Sequence, residues 1–396
     1  MKCINIFKAV AFIYLKLPSE IKMALLFLFL SLLLAASNAY ISVLQTINPG
    51  PFPRDSLYAS PGVDSDIWIF GGGFKNYSSQ RPGNEKGTYP CYDDVWRLKI
   101  RDNGQSEWFE ISTTGQKPSC RTLGGAALLI DYSENAYMAV FGGSEEHGEF
   151  SFSLPNVVPR HDSLYLLNLQ THVWTNASGL INHQGCRNGP IVSSIDGKLY
   201  AFGGIDTSSF QVFGDLRVFD VNTMEWTILH DGAGVTHKFS GVGGLVKKNG
   251  NDYFMTSMGQ NLAGLFIDTS LFSLSTGVWE DGTPLSISDN IQFGRAWAAF
   301  GTSLSKTKLR VYGGDDRTND TKCSKFEGDA TTKNDLWNYG TNQKKFEKYT
   351  PQPEDIMVGL KHSTGVTIQG KIYFIGGFTC NGEVQEPFNG VLVADI

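Results

Sequence analysis

The sequence predicts an all-β chain folded as a six-bladed β-propeller whose ring is closed by the N-terminal strand in the last blade. Three observations carry this. An apolar or aromatic run ending in a glycine doublet recurs along the chain, at Ile69-Phe70-Gly71-Gly72, Val140-Phe141-Gly142-Gly143, Ala201-Phe202-Gly203-Gly204, Val311-Tyr312-Gly313-Gly314 and Phe374-Ile375-Gly376-Gly377, with a worn copy at Ser257-Met258-Gly259-Gln260. Self-similarity at a long, near-regular period marks a repeat architecture. The last copy also runs out of residues before a fourth strand can form, so its edge must be completed from elsewhere.

Each repeat supplies four strands. The innermost is a small-residue segment such as Leu123-Gly124-Gly125-Ala126-Ala127 or Ala296-Trp297-Ala298-Ala299, small because six strands converge on one axis. The second ends at the doublet, where glycine permits a positive φ beside a crowded wedge. The third opens on a polar residue: Asp94-Val95-Trp96, Ser163-Leu164-Tyr165, Asp215-Leu216-Arg217-Val218, Ser270-Leu271-Phe272 and Asp335-Leu336-Trp337. A further aromatic follows at Trp108, Trp174, Trp226, Trp279 and Phe346, placed to fill the space between neighbouring blades with large buried area. The chain ends with Val391-Leu392-Val393-Ala394-Asp395-Ile396, a third strand. Residues 40–47, with Ile41, Val43 and Ile47 on one strand face, are assigned to finish that blade.

Doublet, polar-led strand and trailing aromatic together resemble the kelch repeat, and the resemblance covers nearly all of the chain after residue 39. It implies a six-bladed kelch-type β-propeller, a scaffold that hosts both binding and catalysis.

The first 39 residues read as a secretory leader: Met23 to Leu34 is a short apolar run behind Lys22, followed by Ala35-Ala36-Ser37-Asn38-Ala39 with cleavage expected after Ala39 and Met23 as a candidate start. The domains expected are therefore 1–39 leader and 40–396 propeller, secreted or lumenal, with no membrane span after cleavage. Removing residues 1–39 leaves 29 basic against 38 acidic side chains. That acidic balance argues against nucleic acid as a partner.

Five cysteines then remain, an odd number in an oxidising compartment. The propeller map puts loops after the doublet strands and the starts of inner strands on one face, which pairs Cys91 with Cys120 and Cys323 with Cys380 and leaves Cys186 over, a Cys186–Cys120 bridge being the alternative. Sequons at Asn76, Asn176 and Asn319 fall in expected loops and are the candidate glycosylation sites. The longest loops, Phe74–Tyr92, Ser144–Arg160 and Asp315–Lys333, lie on the same face, where a rigid scaffold usually carries specificity.

Aligning the inner-strand starts places Arg54, Arg121, Arg187, His237 with Lys238, Arg295, and Lys361 with His362 at equivalent positions, one basic site per blade. Such residues can hydrogen-bond neighbouring loop carbonyls. By the kelch resemblance, which includes domains that bind acidic peptides at the channel mouth, they are also candidate contacts to an acidic peptide or acidic glycan, with Arg121, Arg187 and Arg295 foremost.

For catalysis the signals are weaker. Glu145, Glu146, His147 and Glu149 read as a solvated surface, and Asp315, Asp316 and Asp320 lack the glycine and terminal glutamate of a helix-loop-helix calcium loop. No metal or other cofactor is expected. Galactose oxidase-like copper enzymes of this repeat class need paired histidine and tyrosine ligands and seven repeats. The seven histidines here, His147, His161, His172, His183, His230, His237 and His362, include no adjacent pair. The alternative is a secreted carbohydrate-active enzyme like the six-bladed sialic acid mutarotases, for which no acid/base pair can be assigned. The leading expectation is a non-catalytic module that binds a protein or glycan through its loop face and channel mouth.

Overall fold

The structure, a computed structural model, describes residues 40–73, 91–101, 105–145, 163–178, 187–206, 208–283, 294–316, 332–381 and 384–395. The described residues form strands and turns and contain no helix, so none is long and apolar enough to cross a membrane. The compact unit spans Ile41–Asp395.

Six four-stranded antiparallel arrangements follow one another in chain order. Blade 1 is Tyr58–Pro61, Asp66–Phe70, Val95–Lys99 and Glu107–Glu110. Blade 2 is Gly125–Ile130, Ala136–Phe141, Leu164–Asn168 and Val173–Asn176, with Thr114–Gly115 added in parallel at its outer edge. Blade 3 is Ile191–Ile195, Lys198–Phe202, Leu216–Asp220 and Glu225–His230. Blade 4 is Val242–Lys248, Asn251–Ser257, Thr269–Ser273 and Trp279–Asp281. Blade 5 is Ala299–Thr302, Lys308–Tyr312, Leu336–Gly340 and Lys345–Lys348. Blade 6 is Thr364–Ile368, Lys371–Ile375 and Val391–Asp395, completed by Tyr40–Val43.

The N-terminal strand thus occupies the outer position of the last blade, and Leu44 N–H donates to Val391 O at 2.8 Å. Ile41 in this strand is fully buried. Each inner strand contacts the next in order, and that of blade 6 contacts that of blade 1. Closure by a strand from the other end of the chain leaves no free sheet edge at the seam.

Most of the core lies between blades. Leu57, Ile67 and Ile69 of blade 1 pack with Val366, Tyr373 and Val393 of blade 6, and equivalent clusters join blades 1 and 2, 2 and 3, 3 and 4, and 4 and 5. The fourth-strand tryptophans are the repeated wedge. Trp174 meets Phe70 at 5.3 Å, Trp226 meets Phe141 at 5.3 Å and Trp279 meets Phe202 at 5.5 Å, in each case a tryptophan of one blade against the second-strand phenylalanine of the blade before. Such tilted or edge-to-face pairs add about 0.5–1.5 kcal/mol beyond area burial.

The doublet glycines sit where the expectation put them, at positive φ. A Cβ on Gly313 would lie 2.2 Å from Leu360 O of the next blade, so this position excludes any other residue. In the worn copy Met258 takes the first position with φ 56°. Some boundaries differ from the sequence reading. Leu123-Gly124 and Ala296-Trp297-Ala298 precede the inner strands of blades 2 and 5, which begin at Gly125 and Ala299, and the closing strand ends at Val43, leaving Ile47 outside it.

Candidate functional site

The axis is bounded by two closed circuits of backbone hydrogen bonds. In the outer one the second residue of each doublet donates to the carbonyl of the residue that starts the next blade: Gly72 to Arg121, Gly143 to Arg187, Gly204 to Lys238, Gly259 to Arg295, Gly314 to Leu360 and Gly377 to Arg54, at 2.7–3.0 Å. Two residues further along, the inner circuit runs Leu123 N to Ser56 O, Gly189 to Leu123, Ser240 to Gly189, Trp297 to Ser240, His362 to Trp297 and Ser56 to His362, at 2.7–3.2 Å. All six inner positions have φ between 51° and 66°.

These circuits fix the repeat register and correct the proposed basic ring. The equivalent positions are Arg54, Arg121, Arg187, Lys238, Arg295 and Leu360. His237 lies one residue before the ring position, its Nε2 3.3 Å from Gly232 O. Lys361 lies one residue after it, is 1 % exposed, and sits with its Nζ 3.8 Å from Asp315 Oδ2. His362 belongs to the inner circuit. Its ring stacks on Trp297 at 4.4 Å with 12° between planes, and its Nδ1 is 2.9 Å from Ser56 Oγ, which in turn donates to Asp55 Oδ1 at 2.8 Å.

The ring cations are buried and are engaged within their own blades. Arg54 holds Asp94 through Nη1 and Nη2 at 2.5 and 2.8 Å, and Arg295 holds Asp335 at the same two distances. Arg187 Nη2 donates to Asp215 at 2.8 Å, and Asp215 also accepts from Arg217. Lys238 Nζ lies 2.9 Å from both oxygens of Asp268. Each of the three arginines also donates Nη1 to the carbonyl of its blade's first doublet glycine, Gly71, Gly203 or Gly313. Aromatic rings back the charges, Tyr92 at 4.3 Å from Arg54 and Phe213 at 4.2 Å from Arg187. Arg121 differs. Its third strand opens on Ser163, whose Oγ accepts from Nη1 at 3.1 Å, while the buried Nη2 has no hydrogen-bond partner among the described residues.

Electrostatics follow from this packing. Burial pushes the Asp94, Asp215 and Asp335 carboxyls up, but the hydrogen bonds and charge of Arg54, Arg187 and Arg295 outweigh it and hold all three below the ordinary range, Asp335 at about 2. Burial pushes the Lys238 amine down, opposed by Asp268. Arg54, Arg187, Lys238 and Arg295, expected as contacts to an external anion, are each ion-paired within their own blade. They are braces between the strand that starts a blade and that blade's third strand, and carboxylates already fill their donor geometry.

Below the inner circuit lies a cavity of about 140 Å³ on the axis. Ser56, Ser240, Trp297, Phe300 and His362 line it, among small walls such as Gly125, Ala126 and Ala298. Of these only His362 stands among the sequence-derived site residues. The signal that finds Ser56, Ser240 and Trp297 is their place two residues after each ring position.

The remaining expectations divide by location. Cys91 and Cys120 form a disulfide with Cα atoms 5.4 Å apart, tying blade 1 to the start of blade 2. Cys380 is disulfide-bonded, while Cys323 and Cys186 lie outside the described residues. Asn76 and Asn319 also lie outside them. Asn176 is exposed at the end of a strand rather than in a loop, and its Oδ1 accepts from Ser178 Oγ at 2.6 Å. Of the acidic cluster only Glu145 is described, and Asp316 pairs with Lys333 at 2.9 Å. Among the described residues no group of three or more metal-ligating side chains occurs.

A model of the KLHDC2/KLHL20/DRC7 kelch-repeats domain matches residues 63–314. Tip elongation aberrant protein 1 of Schizosaccharomyces pombe is 34 % identical over 169 residues, 42 % of this chain and only 12 % of that protein's length. The solved structure of YjhT superposes with a TM-score of 0.58 at 16 % identity, covering 88 % of this chain and 99 % of that one, a likeness of fold alone.

Proposed function

The chain belongs to the kelch-repeat family, whose propellers are typically protein-interaction modules, and on that premise we propose that it is a secreted or lumenal non-catalytic module that binds a protein through its loop face. The observation that carries the reading is the set of hairpins raised from that face by the connections between second and third strands. In blade 3 the pair Ile205–Asp206 and Gln211–Val212 carries Phe210 at its turn, and in blade 4 the pair Gln260–Asn261 and Gly264–Leu265 carries Leu262. Phe210 is 38 % and Leu262 59 % exposed. Phe52, two residues before the first ring position, is 74 % exposed. Apolar side chains exposed at the tips of hairpins suit docking of another chain. The Cys91–Cys120 disulfide supports an oxidising compartment, in line with the leader expected over residues 1–39.

Photo-crosslinking residues at Phe210 and Leu262, compared with Tyr132 and Leu304 on the turns of the opposite face, test the surface. Expected is a specific crosslinked product from the hairpin sites alone. Capture only from Tyr132 or Leu304 overturns the loop-face assignment. N-terminal sequencing of the exported protein tests the compartment, with Tyr40 expected first.

A further inference from the structure

We propose that the face opposite the loops is a self-association surface, on which two copies of this chain meet about a two-fold axis with blade 2 of each on blade 5 of the other. The turns between first and second strands and between third and fourth strands all lie at this end of the blades. Backbone bonds hold the two turns of a blade side by side, Val221 N–H to Gly197 O at 3.0 Å in blade 3 and Thr341 N–H to Thr307 O at 3.1 Å in blade 5. Further bonds join neighbouring blades: Tyr132 N–H donates to Asn222 Oδ1, Lys247 N–H to Lys306 O and Gln369 Nε2 to Ser65 Oγ, each at 2.7 Å. A platform tied together in this way has little left to order on association.

Two asymmetries of this platform select the partner. The turns of blade 2, residues 131–135 and 168–172, carry Asp131 and Glu134 and no Lys or Arg, whereas those of blade 5, residues 303–308 and 341–345, carry Lys306, Lys308, Lys344 and Lys345 and no Asp or Glu. Among the described residues Glu134, Lys306 and Lys308 have no ion-pair partner. The two most exposed large apolar side chains among the described residues, Tyr132 at 87 % and Leu304 at 77 %, stand on the same two blades. Blades 2 and 5 are three apart in a ring of six and so lie opposite each other across the axis. A two-fold rotation that turns one propeller onto the other brings Tyr132 onto Leu304 and Glu134 onto Lys306 and Lys308, and lays Asp196 of blade 3 over Lys247 of blade 4. Each contact is made twice, because a two-fold interface is isologous, and opposite charge meets opposite charge at both ends. A partner of different sequence would need no such match between opposite blades, so the match points to a second copy. The surface is separate from the hairpin tips and does not rest on the protein-docking proposal.

The test is analytical ultracentrifugation of the purified full chain over a concentration series at about 0.05 M and about 0.5 M salt. Wild type should form a species of twice the chain mass, weakened at the higher salt. Lys306→Glu with Lys308→Glu should weaken self-association about tenfold, and Ser133→Lys with Glu134→Lys should do the same. Mixing these two variants should restore the dimer as a heterodimer, because each reversed blade then meets one of opposite charge. Tyr132→Ser should weaken association about tenfold while leaving its salt dependence in place. A chain that stays monomeric up to about 100 μM, self-association indifferent to both charge reversals, or a mixture that associates no better than its components overturns the proposal. Should either charge variant fail to fold, Tyr132→Ser and the salt dependence decide. A crosslink from Tyr132 or Leu304 between two copies has twice the chain mass and is distinct from capture of a different protein, so this proposal and the loop-face reading fail separately.

Discussion

Replacing Asp335 by asparagine isolates one blade brace. The carboxylate accepts two bonds from Arg295 and one from Trp337 Nε1 at 2.9 Å, with Lys348 3.5 Å away, and its side chain is 16 % exposed. Depression of its pKa from 3.8 to about 2 corresponds to about 2.5 kcal/mol of native-state stability at neutral pH. The folded value lies below the unfolded one. The contribution is therefore complete above the unfolded value near about pH 4 and is lost as pH falls towards 2. Asp335→Asn should lower stability by about 2–3 kcal/mol at pH 7, since it leaves the buried Arg295 charge uncompensated. The gap should close as both proteins approach pH 2. Urea unfolding followed by tryptophan fluorescence at several pH values between 7 and 3 reads this directly. A variant as stable as wild type at pH 7, or a gap that stays constant with pH, would refute the brace.

Further tests address the other departures and joints of the ring. Ser163→Asp should give Arg121 the carboxylate its counterparts have and raise stability at pH 7 by about 1–2 kcal/mol, read by the same urea assay; destabilisation would show that Arg121 is satisfied in another way. Ile41→Ala should cost about 2–5 kcal/mol, because the closing strand carries this fully buried side chain; a loss under 1 kcal/mol would mean the seam contributes little. Cys120→Ser should lower stability by about 3–4 kcal/mol, the range for closing a loop of 29 residues, and reducing agent should have little further effect through this bridge.

How much was legible depended on whether a residue's role was local. The doublets could be read because backbone contacts such as that between Gly313 and Leu360 O admit only glycine, which keeps the period visible even where Met258 replaces one copy. The closing strand followed from counting strands against the end of the chain. The ring cations were found but their partners were not linked to them. Asp94, Asp215 and Asp335 stood in plain view as openers of third strands, yet each lies 28 or 40 residues from its arginine, and only folding brings the two ends of the blade together. Register stayed open to one residue at His237-Lys238, where Lys238 is the ring position, and failed by one at Lys361-His362, where Leu360 is. Periodicity fixes such a place to within a residue, and the backbone circuit settles it.

The backbone of the axis obeys six-fold repetition while its side chains do not, and this separates roles. Where the repeat is kept, as in the arginine–aspartate braces, the residue can be explained by what it holds within its own blade. Where the repeat breaks, the explanation must come from elsewhere. Leu360 replaces a cation and needs no carboxylate. Ser163 replaces a carboxylate while the cation remains, so among the described residues Arg121 has a hydroxyl where the other braced blades have a carboxylate. Trp297 and His362 occupy positions for which the backbone favours glycine, and they stack on each other across blades 5 and 6. Uniform closure would be served equally well by six glycines, so the asymmetric lining marks the axis, together with the apolar hairpin tips, as the place where this propeller differs from a bare scaffold.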